Sequence, residues 1–254
     1  VAGALTRALA AQGRDPEKTV LVSGIGCSSR ATGYLNFNTL HTLHGRALAF
    51  ATGVKMANPQ LQVIVLMGDG DCTAIGGNHF IHAARRNLDL TALVFNNGIY
   101  GMTGGQFSPL SPAGSASTTS PGGSLDQPFD LAELSKGAGA TYIARGTAYA
   151  SHQLTKLIWE GLNHPGFSVI EAITQCPTYY GRKNQMGDPA QMLLWQRDHS
   201  VSVETVKKIK ETKPPEEAAQ LLAGKFVTGK LWVERRPEYA SQYAQYCERL
   251  AEKS

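Results

Sequence analysis

Val63-Ile64-Val65-Leu66-Met67-Gly68-Asp69-Gly70-Asp71 is the stretch on which the reading of the fold turns. Five apolar residues without a polar break suit a strand buried on both faces, as in a parallel sheet covered by helices. An aspartate follows at the mouth of that strand, where a lone carboxylate is costly. A bound cation removes the cost, and the flanking glycines let the backbone approach a phosphate closely. A helix beginning near Ile75-Gly76-Gly77 would aim its N–H groups at the same anion. On this loop alone, an aspartate that merely caps a helix is an equal alternative.

Outward from this stretch, helices and strands alternate. Ala2 to Ala11 predicts a helix, Thr19 to Ser23 a strand, His44 to Ala57 a helix, Leu61 to Met67 a strand and Ile75 to Arg86 a helix. Leu90 to Phe95 predicts a strand, Phe129 to Gly137 a helix, Tyr142 to Ala144 a strand, Ser151 to Leu162 a helix and Phe167 to Ile173 a strand. The pattern predicts an α/β fold, a parallel sheet with helices on both faces. Two parts are expected, a binding domain over 1–180 and a helical extension over 181–254. The Ser-, Pro- and Gly-rich stretch Phe107 to Ser124 is either functional or disordered.

Ligands of such sheets sit at the carboxyl ends of the strands. Four loops fall there: Gly24 to Arg30, Gly68 to Gly77, Asn96 to Gln106 and Thr174 to Tyr180. In Asn96-Asn97-Gly98-Ile99-Tyr100, the Asn97 amide oxygen and the Ile99 carbonyl are hard donors. With Asp69 they give three protein oxygens toward the octahedron that Mg²⁺ demands. An Asn-Gly hairpin turn is the alternative, but no strand-like run follows soon enough.

Composition bounds the rest. The chain has 254 residues, 42% hydrophobic and 17% charged, with a formal net charge of +4. That argues for a globular core and against nucleic-acid binding, since no dense Lys/Arg block occurs. No apolar run is long enough to span a bilayer. Cys27, Cys72, Cys176 and Cys247 are too scattered for a disulfide scaffold, so a reducing cytoplasm is the expected location. The sequence starts at Val1, and residues upstream of it are expected. Gly24-x-Gly26-x-x-Ser29 lacks the third glycine of a dinucleotide fingerprint, and neither a Gly-Lys-Ser/Thr loop nor a G-x-S-x-G elbow is present.

The Gly-Asp-Gly triplet, followed at this distance by the paired asparagines, resembles the signature of thiamine-diphosphate enzymes. Gly24-Ile25-Gly26-Cys27-Ser28-Ser29, His41-Thr42-Leu43-His44-Gly45-Arg46, Gly68 to Gly77, and Ile99-Tyr100-Gly101-Met102-Thr103-Gly104-Gly105-Gln106 resemble the β subunit of 2-oxoacid:ferredoxin oxidoreductases, above all the 2-oxoglutarate type. The likeness covers roughly residues 1–180. It implies that Asp69, Asn97 and Ile99 hold Mg²⁺. Ile25, Gly26, Cys27, Ser28, His44, Gly68, Gly70, Asp71, Gly101, Met102 and Thr103 would then surround thiamine diphosphate. His44 either donates a hydrogen bond to the diphosphate or is a satisfied histidine near a helix start.

The family carries a [4Fe–4S] cluster on four cysteines. Cys27 and Cys176 match two of them; the family's other two, in a C-x-x-C just before the position of Val1, are absent from this sequence, so either an upstream piece carries them or the cluster is lost. Thiolates suit such a cluster, and a small buried apolar role is the alternative for each. Cys72 and Cys247 are read as bystanders, and His79 and His82 as structural. Arg30 either binds the distal carboxylate of a five-carbon 2-oxoacid or is an ordinary surface arginine. Met102 lines the same pocket or belongs to the core.

The implied reaction is CoA-dependent oxidative decarboxylation of a 2-oxoacid, giving acyl-CoA, CO₂ and reduced ferredoxin, or its reverse as a carboxylating synthase. A glutamate that activates the cofactor ring is expected from a partner α subunit, in an αβ or (αβ)₂ assembly. The substrate can be 2-oxoglutarate, pyruvate or several 2-oxoacids. Two rivals remain: a non-redox thiamine decarboxylase or carboligase, and a non-catalytic subunit.

Overall fold

The computed structural model describes residues 1–252; Lys253 and Ser254, the end of the expected extension, lie outside the described residues. The strands are β1 (Thr19–Ser23), β2 (Asn38–His41), β3 (Gln62–Gly68), β4 (Thr91–Asn96), β5 (Tyr142–Thr147), β6 (Ser168–Ile173), β7 (Ser200–Ser202) and β8 (Phe226–Val233). They form one sheet in the order β2-β1-β3-β4-β6-β5-β8-β7. The first six are mutually parallel, and β8 joins β5 antiparallel.

The unbroken apolar run of β3 divides its side chains between two cores, because successive strand residues face opposite ways. Val63, Val65 and Met67 enter one core with residues of α2 (Ala47–Ala57), α4 (Gly77–Arg85) and α5 (Leu131–Ala138). Ile64 and Leu66 enter the other with α1 (Ala2–Ala11) and α6 (Ser151–Leu162). Helices therefore cover both faces, as expected.

Three features differ from the sequence reading. A short helix, α3 (Asp69–Thr73), starts directly on the Gly-Asp-Gly triplet, and α4 follows it. The helix whose first turn meets this loop is thus α3, not one beginning near Ile75. Strand β2 escaped notice because it is an exposed, polar edge. The region past residue 180 is not only helical. It holds α7 (Pro189–His199), α8 (Val203–Thr212), α9 (Pro215–Leu222) and α10 (Tyr239–Ala251), and it also supplies β7 and β8 to the sheet. The sheet runs without a break across the boundary expected at 180. No helix among the described residues is long and apolar enough to cross a membrane.

Phe80 of α4 is fully buried and meets the Phe167 ring edge-on at 5.8 Å. Truncation would remove this contact and leave a cavity. Phe80→Ala is therefore expected to cost about 3–5 kcal/mol of stability, read as a lower midpoint in denaturant unfolding followed by circular dichroism.

Candidate functional site

The chain leaves β1 toward β2 on one side and crosses back to β3 on the other, so the sheet's order switches between β1 and β3. Open α/β sheets bind ligands in the crevice at the carboxyl ends beside such a switch. A cleft of about 590 Å³ opens there. It is lined by Ile25, Gly26, Cys27, Ser28 and Arg30 after β1, by His44, and by Gly68 to Asp71 after β3. Asn97, Ile99, Gly101, Met102 and Thr103 after β4 complete that wall. The structure thus brings together every residue singled out for cofactor or substrate, and Cys176 lies just behind them.

Register explains the meeting of Asp69 and Asn97. Gly68 pairs with Phe95 across β3 and β4, so both loops leave the sheet at one level. Asp69 is buried, and Ser108 Oγ donates to its Oδ2 at 2.6 Å. Burial pushes its carboxyl up to about 7, with the Ser108 hydrogen bond opposing the shift. Asn97 Oδ1 accepts from Ile99 N at 3.1 Å, and Asn96 Oδ1 from Gly98 N at 3.0 Å. Gly98 takes a φ of 69°, which a side chain would strain. Asn96 is held in turn through Glu171 Oε1 at 2.7 Å, and Arg145 binds Glu171 at 2.6 Å and Asp130 at 2.7 Å. The turn that would present Asn97 and the Ile99 carbonyl is therefore fixed from beneath.

Among the described residues, no three His, Cys, Asp or Glu side chains converge as a metal cluster. The donors expected for the metal are one carboxylate, one amide and one carbonyl, in a cleft also lined by Asp71, His44 and Cys27. That set fits a hard, oxygen-seeking ion such as Mg²⁺ and not a thiolate- or imidazole-bound metal. Ser28 Oγ is buried at the cleft with no hydrogen-bond partner among the described residues. A buried hydroxyl left unpaired is uncommon, and here it is a donor free for an anionic ligand.

The two matching cysteines also meet. A Cβ placed on Gly101 would lie 3.3 Å from Cys27 Sγ and 3.4 Å from Cys176 Sγ. Partial burial raises the Cys27 thiol, and the neighbouring Cys176 raises it further. Cys72 is buried in the core and Cys247 is exposed on α10; neither lines the cleft.

The sequence matches the family described as thiamine pyrophosphate enzyme, C-terminal TPP binding domain, over residues 24–172. It is 53% identical over 214 residues to the 2-oxoglutarate synthase subunit KorB of Methanothermobacter marburgensis, covering 84% of this chain and 74% of that one. It is 38% identical over 251 residues to the 2-oxoacid:ferredoxin oxidoreductase subunit beta of Saccharolobus solfataricus, covering 95% and 79%. A solved 2-oxoglutarate:ferredoxin oxidoreductase from Magnetococcus marinus, determined with 2-oxoglutarate, coenzyme A and succinyl-CoA bound, superposes with a TM-score of 0.85 at 33% identity, covering 98% of this chain and 83% of that one. The chain belongs to the β-subunit family of 2-oxoacid:ferredoxin oxidoreductases.

Two site residues of this β-subunit fold sit differently from their expected roles. The resemblance implies that Asp71 contacts the diphosphate, and Asp71 lines the cleft. Its Oδ1 instead accepts from Gly45 N at 2.6 Å and from Ile25 N at 3.4 Å, and lies 2.7 Å from His44 Nδ1. It stitches the loop after β1 to the loop after β3, and a carboxylate would in any case repel a diphosphate. Burial raises Asp71, opposed by the Gly45 N–H and by His44. With Nδ1 turned to Asp71, His44 donates to a ligand through Nε2 only when the ring is doubly protonated. His44 precedes α2 by three residues and so does not open that helix.

Sequence reasoning missed Tyr100 and Ser108. Tyr100 packs its ring so closely over Gly70 that any Cβ there would overlap it, and its hydroxyl donates to Gly70 O at 3.1 Å. Only the glycine itself signalled that neighbour. Arg30 is exposed at the rim, where its Nη2 donates to Tyr34 Oη at 3.3 Å. Met102 is exposed in the cleft and not part of the core.

The raised Asp69 carboxyl has a pH consequence. Between pH 4 and 7 the unfolded aspartate ionises while the folded one keeps its proton, so the metal-free chain loses stability as pH rises. A shift from the ordinary 3.8 to about 7 corresponds to roughly 4 kcal/mol. Asp69→Asn is expected to flatten this slope in unfolding measurements across pH 4–8.

Proposed function

We infer that this chain is the β subunit of a 2-oxoglutarate:ferredoxin oxidoreductase. The assembled enzyme converts 2-oxoglutarate and CoA to succinyl-CoA and CO₂ and passes two electrons singly to ferredoxin; run in reverse, it carboxylates. The observation that carries this reading is the buried Asp69 carboxylate beside Asn97, at the switch point of a sheet shared with relatives of that activity.

In this reading Asp69, Asn97 and the Ile99 carbonyl would hold Mg²⁺, which would anchor the cofactor's diphosphate. Ile25, Gly26, Gly68, Gly70, Gly101 and Thr103 shape the cradle, and the unpaired Ser28 hydroxyl donates into it. Asp71 keeps His44 and the Gly45 turn in place. Thiamine diphosphate, when bound, supplies the electron sink that lets the carboxylate of the 2-oxoacid leave. Cys27 and Cys176, whose sulfurs both lie against Gly101, would supply two thiolates to a [4Fe–4S] cluster, which would supply one-electron transfer. A partner α subunit closes the cleft and brings the ring-activating glutamate, in an αβ or (αβ)₂ assembly within the cytoplasm. Residues 1–180 carry this site, and the remainder of the chain supports the sheet.

Arg30 faces the cleft with its guanidinium steadied by Tyr34, through the hydrogen bond and a cation–π contact at 6.0 Å. A fixed guanidinium suits the distal carboxylate that 2-oxoglutarate has and pyruvate lacks.

Two measurements test the reading on the co-expressed αβ complex. Ferredoxin reduction should require both 2-oxoglutarate and CoA, and Asp69→Ala should weaken metal-dependent thiamine diphosphate binding more than ~100-fold and abolish turnover. Unchanged binding would overturn the metal assignment. Arg30→Ala should lower kcat/KM for 2-oxoglutarate by about 10–100-fold, the worth of one charge-assisted hydrogen bond, and leave that for pyruvate unchanged.

A further inference from the structure

The Ser- and Pro-rich stretch after Gln106 has no part in the function described so far, yet it sends two fully buried hydroxyls under the site. Ser108 and Ser111 are 0% and 2% exposed. Ser108 Oγ donates to Asp69 Oδ2 at 2.6 Å and accepts from Leu110 N at 3.3 Å. Ser108 N donates to Ser111 Oγ at 2.9 Å, and Ser111 Oγ donates to the Gly98 carbonyl at 2.5 Å. One tight turn thus joins the carboxylate after β3 to the turn after β4 that carries Asn97 and Ile99. The stretch is held to its surroundings as well, with Thr118 N donating to Gly105 O at 2.7 Å and Ala116 N to Asn184 Oδ1 at 2.7 Å.

The hydroxyl has a chemical consequence beyond rigidity. Ser108 takes Oδ2, and among the described residues no side chain takes Oδ1. The backbone N–H groups of Gly70 and Asp69 also face the carboxylate, so Oδ1 is the oxygen that no side chain shares and the one Asp69 can give a cation. Mg²⁺ is satisfied by single oxygens in a tight octahedron, whereas Ca²⁺ takes six to eight oxygens and often both of one carboxylate. We propose that Ser108 is a specificity-determining positioning residue that makes Asp69 a one-oxygen ligand, and so biases this site toward Mg²⁺ over Ca²⁺. Ser111 supports it by fixing the facing turn through Gly98. This inference rests on the assignment of Asp69 as a metal ligand.

The test uses the full αβ complex, stripped of metal with a chelator. Thiamine diphosphate is titrated calorimetrically in the presence of Mg²⁺ alone or Ca²⁺ alone. Ser108→Ala is expected to weaken Mg²⁺-supported binding by about 10–100-fold, as loss of a hydrogen bond to a ligand does. Ca²⁺-supported binding should fall less, so the Mg²⁺/Ca²⁺ preference narrows by about tenfold. If S108A does not assemble, S108C keeps the volume with a weaker donor and should narrow the preference in the same direction. An equal loss with both ions, or an unchanged ratio, would overturn the proposal and leave Ser108 a structural residue. Asp69→Ala in parallel should lose binding with both ions; binding retained there would remove the metal assignment itself.

Discussion

An ionisable side chain withdrawn from water at the end of a strand is the constraint around which this chain is arranged. Asp69 leaves β3 into a site where burial holds its carboxyl near 7. Such a group is stable only as a neutral acid or beside a positive charge. A cation converts the first state into the second, because it binds the carboxylate in place of the proton. That carboxyl sits where the loops after β1, β3 and β4 converge.

Close packing keeps that convergence rigid. Gly24 lies where any Cβ would overlap the Asp71 carboxylate, Gly70 where it would overlap the Tyr100 ring, and Gly76 where it would overlap the Asp71 carbonyl. These glycines let the loops after β1, β3 and β4 approach at backbone distance, and Asp71 accepts N–H groups from Ile25 after β1 and from Gly45 after β2. Preorganised sites of this kind bind without reordering, which is what a cofactor held through its diphosphate needs.

Most of the layout was legible in the sequence because it follows from periodicity. The buried strands announce themselves as apolar runs, and their carboxyl ends fix where the loops gather. The Gly-Asp-Gly triplet and Asn97 could be paired because parallel strands in register put their exits side by side. What was not legible depended on contacts distant in sequence. Nothing local tells that Asp71 Oδ1 accepts from Gly45 N, or that Ser108, inside a run of serines and prolines, reaches back across the fold to Asp69. Strand β2 was hidden by its polar exposure, and β8 by its place after a run of helices, where the alternation Phe226 to Val233 carries a glycine and a lysine.

Strand β8 bears on how the chain is made. Until residues 226–233 emerge, β5 has an open side with unpaired N–H and C=O groups. Strand β6 ends at Ile173, so the ribosome must add the whole intervening stretch before the guard arrives. At roughly 5–20 residues per second this takes several seconds, long on the scale of hairpin formation. A nascent chain in that interval offers a raw sheet margin to its neighbours, so newborn copies have most need of chaperones while residues 174–225 are being added.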